Sequence, residues 1–582
     1  MSFLIGFSPT SRCDPHGVKL DAANSQALMR GEVCCGKFWR FGELSTSAKL
    51  ELAPHRSMVL IGRVRLDRRT LLIARLRGDL PSDGRSLTDA DLCLWAYVRW
   101  GEGMVEQIQG DFSFAIWDSG PGKLFCARDH LGIRPFAYFQ YQDTWWIADS
   151  MQLLSHAPGY WSGEINKAWI RHFLRYGGSE PATSVYSHVH RLLPAHTLTL
   201  TGNAITVRRY WAFQIGEPLI LRPQEQYQEQ FEELLTTAVR DRMPQGRVGI
   251  SMSGGIDSPA LAAKAVQIAG TPDRVVAHTT VLHGERDPEW EPSRLVARHL
   301  GIEQHMVESA SLMYEPAWQQ SSCRFAEPNM EVTFPEALMH QRQAMREMSS
   351  VWFAGEGPDN AMTFEWRSYL NWLAGNHMWR ELSLASCRYV TSKSLSEWKG
   401  TVGRMLFPVL PHISRSEPVN SSLEQDDDWS SPEGEQPLPS WRPQADLTWR
   451  AQYLWTRYFE GLDFMHDSYG IEWRHPFMDL ELRDFMLRTP PIPWAREKRL
   501  LRQTMKGRLP RRVLNRPKSV GQIDVFAQTI LANPPKLPGK GSLVGEFISP
   551  GALSQATIDL GDSNWLLRLA VVDHWLAGRL QA

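Results

Sequence analysis

The sequence predicts an α/β protein of two domains, and three observations carry this prediction. The chain has 582 residues, more than the roughly 100–200 residues of a usual single domain. Residues 1–210 contain many short strand patterns separated by turns, whereas apolar strands alternate with amphipathic helices from residue 211 onward. Such alternation is typical of a parallel, doubly wound sheet. We therefore predict one domain over residues 1–210 and a second over residues 211–582.

Charge balance and cysteine usage disfavour several classes of protein. Lys and Arg number 63 against 64 Asp and Glu, so net charge gives no reason to expect a nucleic-acid or membrane partner. Seven scattered cysteines without a Cys-x-x-Cys pair disfavour a disulfide framework or a zinc site. No stretch approaches the roughly 18 apolar residues of a membrane span, and residues 3–7 lack the basic start of a signal peptide. The simplest expected location is the reducing cytoplasm.

The first domain has the pattern of a β-rich fold. Residues 58–67 and 144–149 have strand-like composition, and residues 109–118 alternate apolar and polar side chains before a Gly-Pro-Gly turn. Residues 86–100 carry apolar side chains at helical spacing. These elements predict antiparallel strands with a small number of covering helices.

The second domain opens with a strand, a glycine turn and a helix. Residues 247–252 form a short apolar stretch that predicts a buried strand. Asp257 or Ser258 is expected to cap the following helix, and Gly270 to end it. Outward N–H groups and bare glycines at a helix N-terminus make an anion site. The turn Ser-Gly-Gly-Ile-Asp-Ser lacks the Lys-Ser/Thr pair of the common P-loop, so we predict a phosphate loop of another type.

A second strand enters a glycine turn at residues 351–360, which read Val-Trp-Phe-Ala-Gly-Glu-Gly-Pro-Asp-Asn. In a parallel sheet both turns lie beyond the carboxyl ends of the strands, so Asp257 and Asp359 are expected at neighbouring strand ends. Mg²⁺ prefers carboxylate and phosphate oxygens as ligands. The two aspartates are therefore candidate residues for holding a Mg–ATP complex. Residues 412–446 are polar and rich in Ser, Pro and acidic side chains, which predicts an exposed insertion.

The first turn, Ser-Gly-Gly-x-Asp-Ser, resembles the pyrophosphate loop of ATP pyrophosphatases, which adenylate a carboxylate or carbonyl and release pyrophosphate. The second turn resembles the Gly-Glu-Gly-Ala/Ser-Asp-Glu segment of asparagine synthetases, except at Pro358 and Asn360. Residues 472–479, Glu-Trp-Arg-His-Pro-Phe-Met-Asp, are similar to the same family's Arg-x-Pro-Phe-Leu-Asp segment. The resemblance implies an adenine nucleotide α-hydrolase-like domain over residues 211–582.

The resemblance also implies roles for individual residues. Asp257 and Asp359 would bind magnesium, and Glu356 would assist the attack of the nucleophile. Lys498 and Lys518 lie in blocks that resemble the family's downstream basic motifs, and fixed cations there would stabilise the departing pyrophosphate. The candidate nucleotide-binding residues are Ser253, Gly254, Gly255, Asp257, Ser258, Ala354 and Gly355.

Residues 1–210 resemble the glutaminase domain of the same family, an N-terminal-nucleophile hydrolase with an αββα sandwich. That family uses a processed N-terminal Cys, whereas Met1 here precedes Ser2. The family's glutamine-holding Asn-Gly-Glu falls at Ile61-Gly62-Arg63, which lacks the amide and reverses the charge. We therefore expect a catalytically inactive glutaminase fold, with Ser2 as the alternative nucleophile if the domain is active.

An adenylating site beside an inactive glutaminase domain implies that the amine belongs to the substrate. Within the superfamily the chain is most similar to lasso-peptide cyclases, through Gly-Pro-Asp-Asn in the second turn, Gly-Arg-Val-Arg-Leu-Asp in the first domain and abundant aromatic residues. That similarity implies an AMP-forming ligase that joins an Asp or Glu side chain of a linear precursor peptide to the peptide's N-terminal amine. A leader-binding protein and a leader protease are the implied partners. The alternatives are a β-lactam or asparagine synthetase, although β-lactam synthetases carry Tyr at the place of Glu356, and a catalytically silent scaffold.

Overall fold

The computed structural model describes residues 2–8, 32–33, 38–41, 46–53, 56–81, 84–177, 181–281, 287–308, 314–321, 325–391, 441–450, 452–463, 470–517, 529–539, 542–548 and 563–579. The candidate Lys518 and most of the predicted insertion, residues 412–440, lie outside these residues. Within them, no helix combines the length and apolar composition needed to cross a bilayer.

Antiparallel strands dominate the first part of the described chain. The strands are β1 (Leu4–Phe7), β2 (Glu32–Val33), β3 (Phe38–Phe41), β4 (Thr46–Ala53), β5 (Arg56–Asp67), β6 (Gln109–Asp118), β7 (Lys123–Arg128), β8 (Ala137–Tyr141), β9 (Thr144–Ala148), β10 (His190–Arg191), β11 (His196–Thr201) and β12 (Ala204–Arg209). They form two six-stranded sheets, one in the order β10-β8-β9-β1-β3-β2 and the other in the order β12-β11-β7-β6-β5-β4. The helices of this part are α1 (Arg69–Leu76), α2 (Asp89–Trp100), α3 (Met151–Leu154) and α4 (Lys167–Tyr176).

The two sheets pack face to face because each presents apolar side chains on its inner face. Ile5 of β1 and Ile147 of β9, from the first sheet, share a buried core with Ile61 of β5 and Ala115 of β6, from the second. Helix α2 covers the outer face of the second sheet, and α4 covers the outer face of the first. Helix α2 begins at a capping box in which the Thr88 side chain accepts from the backbone N–H of the third helical residue.

A five-stranded parallel sheet forms the centre of the second part. Its strands are β13 (Val248–Ser251), β14 (Val275–Val281), β15 (Glu303–Glu308), β16 (Val351–Phe353) and β17 (Glu472–Arg474), in the spatial order β15-β14-β13-β16-β17. The helices are α5 (Glu225–Arg242), α6 (Asp257–Ala269), α7 (Trp290–Leu300), α8 (Pro335–Met348), α9 (Pro358–Ala361), α10 (Trp366–Gly375), α11 (Trp379–Thr391), α12 (Pro443–Arg450), α13 (Gln452–Asp463), α14 (Leu480–Arg488), α15 (Pro491–Trp494), α16 (Arg499–Thr504), α17 (Arg511–Leu514) and α18 (Ser563–Arg579). Strand order places the β13 and β16 carboxyl ends side by side.

The C-terminal helix α18 does not pack in the second core. Its apolar residues, including Leu567 and Val571, join the buried cluster that contains Ile170 and Phe173 of α4. The Arg568 guanidinium also donates hydrogen bonds to two α4 carbonyl groups, at 3.2 and 2.8 Å. The outer helical layer of the first domain is therefore built from two segments that are far apart in sequence.

The expectation of an exposed insertion is wrong for four of its last six residues, because Trp441, Arg442, Ala445 and Asp446 are buried. Trp441 is 2% exposed and Arg442 is fully buried. The Arg442 guanidinium donates to the Glu365 carboxylate at 2.9 Å and to the Leu487 carbonyl at 3.1 Å. A buried ion pair and an indole ring fix this end of the segment, which composition alone does not reveal.

Alternate residues of β5 carry buried charges that join the two parts of the chain. Arg65 contacts Asp67 at 2.6 Å, and Asp67 accepts a hydrogen bond from Arg242 of α5 at 2.8 Å. Arg242 also donates at 3.2 Å to Asp479, which precedes α14. Arg63, two residues before Arg65, makes two hydrogen bonds to a carboxylate at the end of α13, at 2.5 and 2.9 Å. We call Arg63, Arg65, Asp67, Arg242 and Asp479 the interdomain ion-pair strip.

Candidate active site

The first glycine turn connects β13 to α6 and is held by its own serines. The Ser253 backbone N–H donates to Ser258 Oγ at 2.9 Å, and the Gly255 N–H donates to Ser253 Oγ at 3.2 Å. The predicted helix cap is wrong, because the residue before the helix is Ile256 and no side chain caps it. Ser258 binds the turn instead, which leaves the Asp257 carboxylate free to face a different partner.

Gly254 needs to be a glycine because its neighbours leave no room for a side chain. A Cβ atom there would lie 2.6 Å from Arg516 Nη1 and 2.9 Å from Pro292 Cβ. Its N–H donates to the Glu289 carboxylate, and its carbonyl accepts from Arg516. Arg516 also contacts that carboxylate at 3.3 Å. The ion pair between Arg516 and Glu289 thus holds the outer side of the first glycine turn, residues 253–258, which we call the phosphate-type loop.

The second glycine turn lies against the first. Strand β16 pairs in parallel with β13, and the Ala354 N–H that follows donates to a β17 carbonyl at 3.1 Å. A Cβ atom at Gly355 would lie 3.1 Å from the backbone nitrogen of Ser258. Gly357 has φ = +124°, a conformation that side chains rarely adopt. The two turns therefore approach at backbone contact distance.

Lys498 joins the two candidate aspartates. Its ammonium group contacts the Asp257 carboxylate directly and lies 2.9 Å from Asp359 Oδ1. The structure thus brings together Asp257, Asp359 and Lys498, which are separated by up to 241 positions in the sequence. Lys498 and Glu497 both have positive φ, 55° and 49°. Left-handed backbone at two successive non-glycine residues is costly and is typical of functional sites.

The Asp257 carboxyl has an unusual environment. Burial, together with the nearby Asp359 and Glu356, raises its pKa to about 6 despite the opposing effect of Lys498. Its Oδ1 atom is buried and has no hydrogen-bond partner among the described residues. A carboxylate oxygen left unpaired beside a second carboxylate fits a divalent cation, which would satisfy this oxygen and lower the repulsion. The donor set therefore fits magnesium.

A cavity of about 510 Å³ opens in front of the two turns. This volume lies within the roughly 300–1,000 Å³ of sites that bind small molecules. Its polar lining residues are Ser253, Gly254, Gly255, Asp257, Glu289, Asp359, Glu497, Lys498, Arg502 and Arg516. Arg502, Arg516 and Glu289 are lining residues that were not among the site residues predicted from the sequence. Arg516 lies two residues before the predicted Lys518, so the basic motif carried a signal for it.

Glu356 belongs to the second turn but lies outside this lining and faces His475. Glu356 Oε2 is 3.8 Å from His475 Nδ1, and both atoms are buried without a hydrogen-bond partner among the described residues. Burial alone would raise the pKa of Glu356, but His475 and Tyr458 outweigh it and lower the pKa below its usual value. The His475 ring packs against Phe459 at 5.1 Å between ring centroids. An ionised carboxylate with a free oxygen can accept a proton at this place.

In the first domain, the position that the sequence resemblance assigned to the glutamine-holding acid is occupied by a buried, paired cation. Arg63 is 5% exposed and contacts Asp463 and, at 3.4 Å, Asp149. Asp149 Oδ1 accepts the Phe3 N–H at 2.8 Å. Ser2 is buried as well, and its Oγ has no hydrogen-bond partner among the described residues. The guanidinium and its carboxylates therefore form a closed, buried cluster.

Comparison with known proteins supports the division of the chain into two domains. Residues 230–534, more than half of the chain, match the family model described as asparagine synthase, and residues 73–211 match the one described as a glutamine amidotransferase domain. The predicted two-domain α/β architecture, with an amidotransferase domain before a synthase domain, is therefore confirmed.

Three relatives illustrate the extent of the similarity. Asparagine synthetase (glutamine-hydrolyzing) 3 of Bacillus subtilis is 23% identical over 474 residues, which cover 76% of this chain and 72% of that protein. Asparagine synthetase (glutamine-hydrolyzing) 2 of the same organism is 30% identical over 191 residues, 31% of this chain and 25% of its own length. Amidase chry2 of Gibberella zeae is 23% identical over 238 residues, 38% of this chain and 35% of its own length. With its family match over more than half of its length, the chain belongs to the asparagine synthase family and is an ATP-dependent carbon–nitrogen ligase.

Proposed function

We propose that this ligase closes a ring in a ribosomal precursor peptide. It would activate an Asp or Glu side chain of the linear peptide as the acyl-adenylate, and the peptide's own N-terminal amine would then form the isopeptide bond. The observation that supports this proposal most strongly is a contrast between the two domains. The cavity gathers two aspartates around Lys498, whereas Arg63, which the resemblance places where the family has its glutamine-holding acid, is a buried cation paired with Asp463. With no ammonia from glutamine, the amine in this proposal comes from the substrate itself.

The residues of the pocket suit the adenylation step. ATP supplies the electrophilic α-phosphorus, and magnesium held by Asp257 and Asp359 would neutralise phosphate charge. The substrate carboxylate forms a bond to that phosphorus as the bond to pyrophosphate breaks. Lys498 and Arg516 line the cavity beside the phosphate-type loop and can stabilise the charge that develops on the departing group. Lys518 remains a further candidate for this role.

The second step needs a proton acceptor and close approach. The amine attacks the acyl carbon, the carbon–nitrogen bond forms, and AMP leaves with the bonding electrons. One amine proton must then go to a base, and Glu356 is the candidate because its Oε2 atom is buried and has no hydrogen-bond partner among the described residues. Holding amine and acyl group together in a folded peptide supplies proximity catalysis. In total the peptide loses one water.

A macrocyclase of this kind works with other proteins. The linear precursor peptide is the substrate, and a leader-binding protein and a leader protease are the proposed partners. A gene neighbourhood that encodes a short precursor and these two proteins would support the proposal.

The other candidate function is a different AMP-forming amide ligase, such as an asparagine synthetase or a β-lactam synthetase. The names of the relatives favour an asparagine synthetase over a β-lactam synthetase.

A mass measurement separates these functions. The full-length protein is incubated with Mg–ATP and the linear core peptide encoded beside its gene, and peptide mass and AMP are followed together. Loss of one water per AMP supports the macrocyclase, whereas AMP formed only with aspartate and ammonium would assign the alternative.

Asp257→Ala should abolish AMP release but leave the thermal unfolding transition in place. Asp273→Ala, at an exposed aspartate, is the matched control. An active Asp257→Ala variant would show that the metal assignment is wrong.

A further inference from the structure

A groove next to the nucleotide cavity concentrates positive charge. Residues 496–516 contain nine Lys and Arg against a single acid, Glu497, although the whole chain is balanced at 63 to 64. The groove has a volume of about 1,260 Å³, and five cations line it. These cations are Arg496, Arg499, Arg502, Lys506 and Arg511. We call this surface the basic groove.

Three of the five cations of the basic groove lack an ion-pair partner among the described residues. Arg499, Lys506 and Arg511 are exposed, and none of them takes part in an ion pair among the described residues. The same stretch also contains paired cations, because Arg508 contacts Glu232 and Arg516 contacts Glu289. Unpaired cations in a concave surface create a strong local field that attracts anionic partners. A passive surface would more commonly interleave acids, as this chain does elsewhere.

The basic groove is continuous with the nucleotide cavity. Glu497 and Arg502 line both spaces. A chain bound along the groove therefore has its next residues at the phosphate-type loop, where the acyl group is activated. The groove residues contain no Phe, Tyr or Trp that could stack on nucleobases. Carboxylates, in contrast, match the forked N–H groups of arginine.

We propose that the basic groove binds an acidic segment of the polypeptide substrate and so delivers the adjoining residues to the adenylation site. This proposal rests on a polypeptide substrate, as proposed above, and it adds a chemical requirement for that substrate. The substrate carries a run of Asp or Glu residues outside the ring that the enzyme closes. The groove cations act by binding and orienting this segment and take no part in bond making.

The test measures peptide binding independently of turnover. The full-length protein is titrated into a fluorescein-labelled peptide of alternating Glu and Gly, and fluorescence anisotropy reports binding. The groove variant combines Arg499→Glu, Lys506→Glu and Arg511→Glu. We expect this variant to bind roughly tenfold more weakly or worse, and we expect binding to weaken with added salt. The control variant combines Arg77→Glu, Arg209→Glu and Arg346→Glu, which are exposed, scattered positions with the same total charge change, and it should keep its affinity.

Three outcomes would overturn the proposal. Equal loss of affinity in the groove and control variants would show that only net charge matters. Displacement of the peptide by saturating Mg–ATP would assign the cations to the nucleotide. Tighter, groove-dependent binding of single-stranded DNA of equal charge would assign them to nucleic acid. Groove-dependent peptide binding in a protein that forms AMP only with aspartate and ammonium would instead retain the groove as an acidic-peptide site and reject the macrocyclase.

Discussion

Arg63 offers the sharpest test of how the first domain is built. Its side chain is 6% exposed, and its two carboxylate partners, Asp463 and Asp149, are 8% and 0% exposed. Arg63→Met keeps the length of the side chain but removes the cation that contacts both carboxylates, while Arg134 stays 3.9 Å from Asp463. Removing one partner of a buried ion pair costs about 3–5 kcal/mol. We expect the free energy of unfolding of the affected transition to fall by that amount.

Urea unfolding followed by tryptophan fluorescence and by circular dichroism measures this loss and shows whether the two domains unfold together. The matched control is Arg208→Met, which removes an ion pair to Glu106 whose partners are 50% and 48% exposed, and which should cost at most about 1 kcal/mol. Asp463→Asn added to Arg63→Met should recover part of the loss, because it removes one of the two buried negative charges that lose the Arg63 cation. A cost for Arg63→Met no larger than that of the control would refute the reasoning. Glutamine hydrolysis by the wild-type protein would refute the inactive-glutaminase assignment.

Four further outcomes follow from the second domain. Lys498→Met should slow AMP release by about 10²- to 10³-fold, as measured by coupled assay, because a fixed cation facing the departing charge is lost; an unchanged rate would remove Lys498 from the site. Gly254→Ala should weaken ATP binding in calorimetry, since its Cβ would lie 2.6 Å from a guanidinium nitrogen, and an unaltered Kd would contradict the loop geometry. His475→Asn should slow ring closure more than ATP–pyrophosphate exchange, and an equal loss in both would argue for a structural role only. Burial alone would raise the pKa of Glu472, but Arg474 and Arg134 outweigh this effect and lower the pKa from 4.5 to about 2. The ionised Glu472 therefore stabilises the fold above pH 4.5, and this stabilisation is lost as the pH falls toward 2. The difference in unfolding free energy between wild type and Glu472→Gln should shrink across that window, and a constant difference would exclude this linkage.

Local patterns in the sequence were sufficient for most individual elements. The alternating stretch 109–118 forms β6, and the helix that opens the second domain ends at Gly270, whose φ is +73°. The expected proximity of Asp257 and Asp359 follows from parallel pairing, which short apolar strands before glycine turns indicate. These features depend on residues near each other in sequence, where periodicity and turn chemistry carry the information.

Features that depend on distant partners were not predictable in this way. The sequence shows charged residues at every second position, Arg63, Arg65 and Asp67. It does not show that Asp67 pairs with Arg242, which lies 175 positions further along the chain. The helix-cap prediction failed because a long-range lysine competes for the Asp257 carboxylate. Nothing in the composition of residues 563–579 indicates that they cover the first domain. Tertiary context decided each of these cases.

The position of α18 has a consequence for how the protein is made. Translation proceeds from the first domain to the last residues, and domains generally fold as they emerge. Ile170 and Phe173 of α4, however, gain their contacts with α18 only when residues 563–579 have left the ribosome. The surface of the amidotransferase-like domain that packs against α18 therefore stays exposed until the ligase domain has been synthesised. The domain that is synthesised first is thus completed late, and a stalled or shortened chain would expose this apolar surface to chaperones and proteases.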